Sequence, residues 1–127
     1  MVTLEDADAM ARELEEVTNG LRHANRTWFV VGKAFMWERP FTKADRRRQP
    51  SGELPEGPIL ALRTEDLDDK EAALAAHPKA FFTIPHFDGY AAVLVQLNVV
   101  MKRELKTAIF DAWLASAPRR LSDQYLR

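Results

Sequence analysis

Cysteine is absent from all 127 residues, which removes disulfide scaffolds, thiolate zinc sites and cysteine nucleophiles together. Phosphate-cradling glycine loops, a nucleophile elbow and paired-metal motifs are absent as well. No apolar run approaches the roughly 20 residues needed to span a bilayer. The N-terminus, Met1-Val-Thr-Leu-Glu-Asp6, is acidic and helix-like rather than signal-like, so a cytoplasmic location without membrane partners is expected. Basic excess is also missing. The formal net charge is −1, so the chain as a whole is not a basic nucleic-acid binder.

What is present is an ordinary globular balance, 46% apolar and 29% charged, at a length that fits one domain over residues 1–127 with a genuine core. The charge is unevenly placed. Residues 1–18 hold one Arg against six acids, a net of −5. Residues 33–50 hold six basic residues (Lys33, Arg39, Lys43, Arg46, Arg47, Arg48) against Glu38 and Asp45, a net of +4. Residues 102–127 carry a net of +3. A bipolar surface of this kind holds local basic patches that the global pI conceals.

Thr3 is a good N-cap, with Glu5 and Asp6 at the positive end of the helix it opens. Leu4, Ala7, Met10, Ala11, Leu14 and Val17 recur at helical spacing, and Asn19-Gly20 is expected to end that helix. A weakly signalled strand lies around Leu21–Ala24. Thr27–Val31 and Ala34–Trp37 are aromatic and β-branched, and Gly32-Lys33 between them predicts a type II′ hairpin. Its first strand is apolar on both faces, so it belongs inside a sheet.

Residues 38–58 read as a long polar connection holding Pro40, Pro50, Pro55 and Pro58. Such a length points to a functional or mobile loop. Ile59–Arg63 is the next strand. Thr64 is expected to cap a helix through Ala76, ended by His77-Pro78. The last helix runs from Lys102 to Ser116, with Leu105, Ala108, Ile109, Ala112, Trp113 and Ser116 on its buried stripe and Pro118 stopping it.

The chain is organised around Lys79–Leu97. Phe81-Phe82 anchors it, Pro85 breaks it, and a turn carrying His86, Asp88 and Gly89 leads into a strand. In that strand Val93, Val95 and Leu97 share one face, Leu94 and Gln96 the other. The element order predicts an α+β fold of two layers, an antiparallel sheet with helices on one face.

Phe81-Phe-Thr-Ile-Pro-His-Phe-Asp-Gly-Tyr90, the strand after it, and the Ala117-Pro-Arg-Arg-Leu121 ending together resemble the MmcQ/YjbR family. Trp28-Phe-Val-Val-Gly-Lys33 is similar to that family's hairpin segment. The resemblance covers roughly residues 4 to 121. The chain departs from the family pattern at Ala91-Ala92, where a Gly-Trp pair is common, and at Gln96, where an arginine is common. Its 38–58 connection is longer and richer in proline. The resemblance implies a secretion-chaperone-like α+β fold and a DNA-binding role, the latter through a likeness of the hairpins to double-wing DNA-binding motifs.

Three kinds of chemistry have candidate residues. Lys33, Arg39, Lys43, Arg46, Arg47, Arg48, Arg119 and Arg120 are the candidate phosphate contacts, with Trp37 and Phe41 as stacking platforms. His86 with Asp88, joined by His23 or His77, offers nitrogen and oxygen ligands at a spacing that matches no metal motif. Trp28, Trp37, Phe87, Tyr90 and Trp113 are candidates for lining a cleft, with Asn25, Arg26 and His86 as polar anchors, although the periodic positions of Trp28 and Trp113 favour the core.

No nucleophile is paired with a base, so a non-enzymatic protein without metal or cofactor is expected. The leading expectation is DNA binding through the basic residues. The alternative is a protein-interaction module that exposes Leu94, Met36 and Leu60 on an open sheet face, unless the 38–58 connection and its Phe41 fold over that face.

Overall fold

The computed structural model describes residues 1–49 and 54–125. Helix α1 covers Leu4–Arg12, opened by the Thr3 hydroxyl, which accepts from the Asp6 amide while Asp6 accepts from the Thr3 amide. Strands β1 (Val17–Arg22), β2 (Asn25–Val30) and β3 (Lys33–Glu38) follow as a meander. Next come a short helix α2 (Lys43–Arg48), strand β4 (Ile59–Arg63) and helix α3 (Leu67–Ala76). Strand β5 (Phe81–Phe82), a single 3-10 turn (Pro85–Phe87), strand β6 (Ala92–Gln96), helix α4 (Lys102–Ser116) and helix α5 (Arg119–Ser122) complete the chain. All strand pairs are antiparallel, in the order β1-β2-β3-β4-β6-β5.

The α+β class stands, with the long helices over one sheet face. Alternation along the strands divides their side chains between two clusters. Trp28, Val30, Met36, Leu60, Leu62, Val93 and Val95 point to the helical side, where they meet Ala7 and Ala11 of α1 and Leu105, Ile109, Ala112 and Trp113 of α4. Burying each large apolar side chain here contributes roughly 1.5–3 kcal/mol. Both core indoles are satisfied: Trp28 Nε1 donates to Asp8 at 2.8 Å and Trp113 Nε1 to the Glu15 carbonyl at 3.0 Å.

The other side of β4 and β6 is also covered. Ile59, Ala61, Ile84, Phe87, Ala92 and Leu94 form a second cluster, and Trp37, Phe41, Leu54 and Phe82 pack against it. The chain after β3 therefore does fold over that face. Met36 and Leu60 were expected on an open face but lie wholly buried beneath the helices, and Leu94 is wholly buried in the second cluster.

Four local expectations are corrected. Helix α1 ends at Arg12, and Asn19-Gly20 sits inside β1, paired with Trp28 and Thr27. A turn with positive φ at Glu16 intervenes, held by tertiary bonds at Glu15 and Glu16 that periodicity does not encode. The β2–β3 turn is Val31-Gly32, one residue earlier than expected, and both residues have positive φ, which makes it type I′. Asp66, not Thr64, caps α3, accepting from the Asp69 amide, because Thr64 turns its hydroxyl to the Asp66 carbonyl. Finally, α2 occupies part of the expected loop. Pro50 and the three residues after it in that connection lie outside the described residues.

Candidate functional site

Thr27 and Trp37 are register partners across β2 and β3. They therefore share a face, opposite the neighbouring Trp28–Met36 pair in the main core. On that face, opposite the long helices, a cleft of about 680 Å³ opens between the β1–β2 turn and the segments around α2 and the 3-10 turn. Its walls are Arg22, His23, Asn25 and Thr27 on one side and Arg39, Pro40, Thr42, His86, Phe87 and Tyr90 on the other, with Trp37 between. Among the described residues two arginines and two histidines line it, and no carboxylate does.

The aromatic wall is held rigidly. Trp37 and Tyr90 lie 6.5 Å apart at 50°, and Phe87 meets Tyr90 edge-on at 5.6 Å. The Arg63 guanidinium packs over Trp37 at 5.7 Å and over Tyr90 at 5.5 Å. It is fixed there by bonds to the Ala34 carbonyl at 3.1 Å and the Tyr90 hydroxyl at 3.0 Å.

From α3, the buried Lys70 ammonium donates to the carbonyls of Phe87 at 2.6 Å and Tyr90 at 2.8 Å. These charge-assisted bonds clamp both ends of the aromatic turn. Burial lowers the Lys70 pKa, and the Asp88 carboxylate opposes that shift.

A buried ion pair sets α2 beside the cleft. Arg39 donates to both oxygens of Asp45, at 2.8 and 3.2 Å. Asp45 in turn accepts from the Thr42 amide at 2.8 Å, closing a capping box with the Thr42 hydroxyl. Burial pushes the Asp45 pKa up, but the bonds from Arg39 and Thr42 outweigh it and hold the carboxyl below its ordinary value. Lys43, Arg46, Arg47 and Arg48 are exposed on this helix, and Arg48 Nη1 lies 3.4 Å from His86 Nδ1. The α2 cations and the cleft thus form one continuous surface.

With this geometry in place, comparison identifies relatives. The chain is 39% identical over 121 residues to the uncharacterized proteins Rv2570 of Mycobacterium tuberculosis and Mb2600 of Mycobacterium bovis, covering 94% of each chain. It belongs to their family. No family model matches the chain. The crystal structure of Deinococcus radiodurans protein DR2400, with its DUF419 domain, is similar at a TM-score of 0.63 and 16% identity, covering 90% of this chain and 78% of that one. This likeness establishes the shared fold.

Within this family member, the eight sequence-derived cations do not gather on one surface. Lys43, Arg46, Arg47 and Arg48 cluster on α2, and Arg39 anchors that helix through Asp45. Lys33 lies at the other end of β3, about 20 Å away along the strand. Arg120 belongs to that far end too, since it donates to both oxygens of Glu16, at 2.6 and 2.9 Å, just before β1. Arg119 is exposed on α5, 3.9 Å from Asp123.

Of the expected stacking residues, Trp37 lines the cleft while Phe41 packs on Phe82 at 6.1 Å. Phe87, Tyr90, Asn25 and His86 of the expected small-molecule cleft do meet there, whereas Trp28 and Trp113 are core. Arg26, another expected polar anchor, turns instead to Glu5 at 2.9 Å and Asp8 at 3.3 Å.

Arg22 is a cleft residue that sequence reasoning missed, while His23, expected only as a metal-ligand partner of His86, lines the same cleft as His86. Their turn is His23-Ala24, both at positive φ, and without glycine or asparagine it carries no hairpin signal. Among the described residues no three His, Cys, Asp or Glu side chains are grouped to hold a metal. His77 instead pairs with Glu104 at 2.9 Å. No described helix is long and apolar enough to cross a membrane.

Proposed function

We propose that this protein is a non-enzymatic, cytoplasmic nucleic-acid-binding protein of the MmcQ/YjbR type, with DNA as its ligand. The DUF419 neighbour supports the family reading, because DUF419 is the YjbR/MmcQ-like family. The observation that carries the functional reading is the surface formed by α2 and the cleft. Lys43, Arg46, Arg47 and Arg48 are exposed on α2, Arg48 reaches His86 of the cleft, and among the described residues no carboxylate lines that cleft.

Phosphate binding needs cations gathered on one surface, and a local basic patch supplies that despite a negative net charge. Lys33, Arg119 and Arg120 belong to a second, separate edge and add little to the same footprint.

Fluorescence anisotropy of labelled single-stranded and duplex DNA, titrated at low and physiological salt, tests the proposal. Binding should weaken along a log–log salt slope of several units. Replacing Arg46, Arg47 and Arg48 together by Ala should flatten that slope by about two to three. Absence of binding even at low salt would overturn it.

A further inference from the structure

Resting on that reading, we infer that the cleft receives an unpaired nucleobase of a single-stranded segment, so that the protein selects single strands over duplex. The argument is geometric. A duplex offers side chains its base edges and phosphates, while the faces of its bases are stacked away; only an unpaired base can lay its ring face on an aromatic side chain. Here Trp37 and Tyr90 present tilted rings to a concave space of about 680 Å³, a size suited to enclosing a small ligand. Tyr90 is 39% exposed.

Arg63 is not among the cleft-lining residues, so it supports the two rings from outside the cavity. Asn25 offers an amide for a base edge, and Arg22 with His23 and His86 brackets the aromatic wall with donors for phosphate. A free nucleotide has the same ring and phosphate. The cations of α2 adjoining His86 favour a strand, because they extend the donor set beyond what one nucleotide can occupy.

The tryptophans provide a direct readout. Trp28 and Trp113 have no exposed surface, while Trp37 lines the cleft, so a base stacking there quenches Trp37 alone. The full-length protein should be titrated with short oligo(dT), with a duplex of equal length, and with thymidine monophosphate. Both tryptophan emission and anisotropy of the labelled strands should be followed.

Oligo(dT) is expected to quench part of the emission and to bind about tenfold or more tightly than duplex. Trp37→Leu should remove both the quenching and the preference while leaving duplex binding in place. Tyr90→Leu, at a more exposed position, should lose about tenfold for oligo(dT) and serves if the tryptophan variant fails to fold.

Equal binding of strand and duplex without quenching would overturn the inference and leave nucleic-acid binding standing. Quenching by the monophosphate as strong as that by oligo(dT) would overturn the assignment to a strand. No binding of any of the three at low salt would overturn the parent reading as well.

Discussion

Arg39 grips the carboxylate of Asp45 with two hydrogen bonds, and Asp45 is 2% exposed. A six-residue helix is too short to persist by itself. This pair, with the Thr42 capping box, is what holds the arginines of α2 beside the cleft. Asp45→Ala should therefore destabilise the protein by about 3 kcal/mol, since it leaves Arg39 without its partner. It should also weaken DNA binding without removing any phosphate contact. Urea denaturation and anisotropy on the same preparation check both effects; unchanged affinity in a folded variant would mean that α2 is not the binding element.

Acid should reproduce that loss. The Asp45 carboxyl is held below its ordinary value of 3.8, and so is that of Asp8, where burial is outweighed by bonds from Trp28 and Arg12. A depressed folded-state value gives stability that is complete above the unfolded-state value and is lost as pH falls through the depressed one. Stability should thus be insensitive to these groups near neutrality and decline below 3.8, and Asp45→Ala should show a shallower acid decline than the parent.

Asp111 has the opposite sign. Partial desolvation by the walls of a groove of about 820 Å³ between α3 and α4, with the nearby Asp69 charge, raises its pKa although the residue keeps contact with solvent. A raised carboxyl disfavours the folded state wherever it is ionised. Asp111→Asn should be more stable than the parent at neutral pH, with the gain vanishing as pH falls below the unfolded value. Because Asp111 is solvent-exposed, the gain is small. Thermal melts at neutral and acid pH would show it, and a loss of stability at neutral pH would contradict the sign.

Val31 is an exposed β-branched residue at φ 47° in the first position of a type I′ turn. Left-handed backbone costs such a residue about 1–2 kcal/mol, and asparagine tolerates it better. Val31→Asn should raise stability by about 1 kcal/mol, measured as a shift in the urea midpoint at unchanged slope. It should leave DNA binding untouched, because this turn lies at the far end of β3.

Lys70→Met would strip the Phe87 and Tyr90 carbonyls of their shared donor. The expected cost is about 2–3 kcal/mol, from charge-assisted bonds lost in a buried setting. If the aromatic turn positions the cleft, oligo(dT) affinity should fall further than duplex affinity.

Much of the fold was legible in sequence because it rests on local patterns. Alternating apolar residues gave β6 its two faces. The periodic stripe from Leu105 to Ser116 gave α4, whose observed range matches the expected one. Helix α2 was hidden because its Thr42-x-x-Asp45 capping signature leads into arginines rather than an apolar stripe, and short helices announce themselves mainly through amphipathic periodicity. The cleft could be anticipated as a set of residue types, with Trp37, Phe87, Tyr90, Asn25 and His86 among them. Its partners Arg22 and His23 arrived through a turn without turn residues.

The sequence by itself determined the α+β class, the strands β4 and β6, the boundaries of α4 and the unevenness of charge, because each depends on propensity or spacing within a few residues. Tertiary structure alone decided where α1 stops and which cations share a surface. The Glu15 carbonyl is taken by Trp113 and the Glu16 carboxylate by Arg120, from far along the chain. These bonds hold the turn that ends the apolar periodicity of α1 and starts β1. The same folding separates Lys33 and Arg120 from the arginines of α2 by the length of a strand. Charges adjacent in composition are not adjacent in space, and only the paired register of β1, β2 and β3 settles which of them meet.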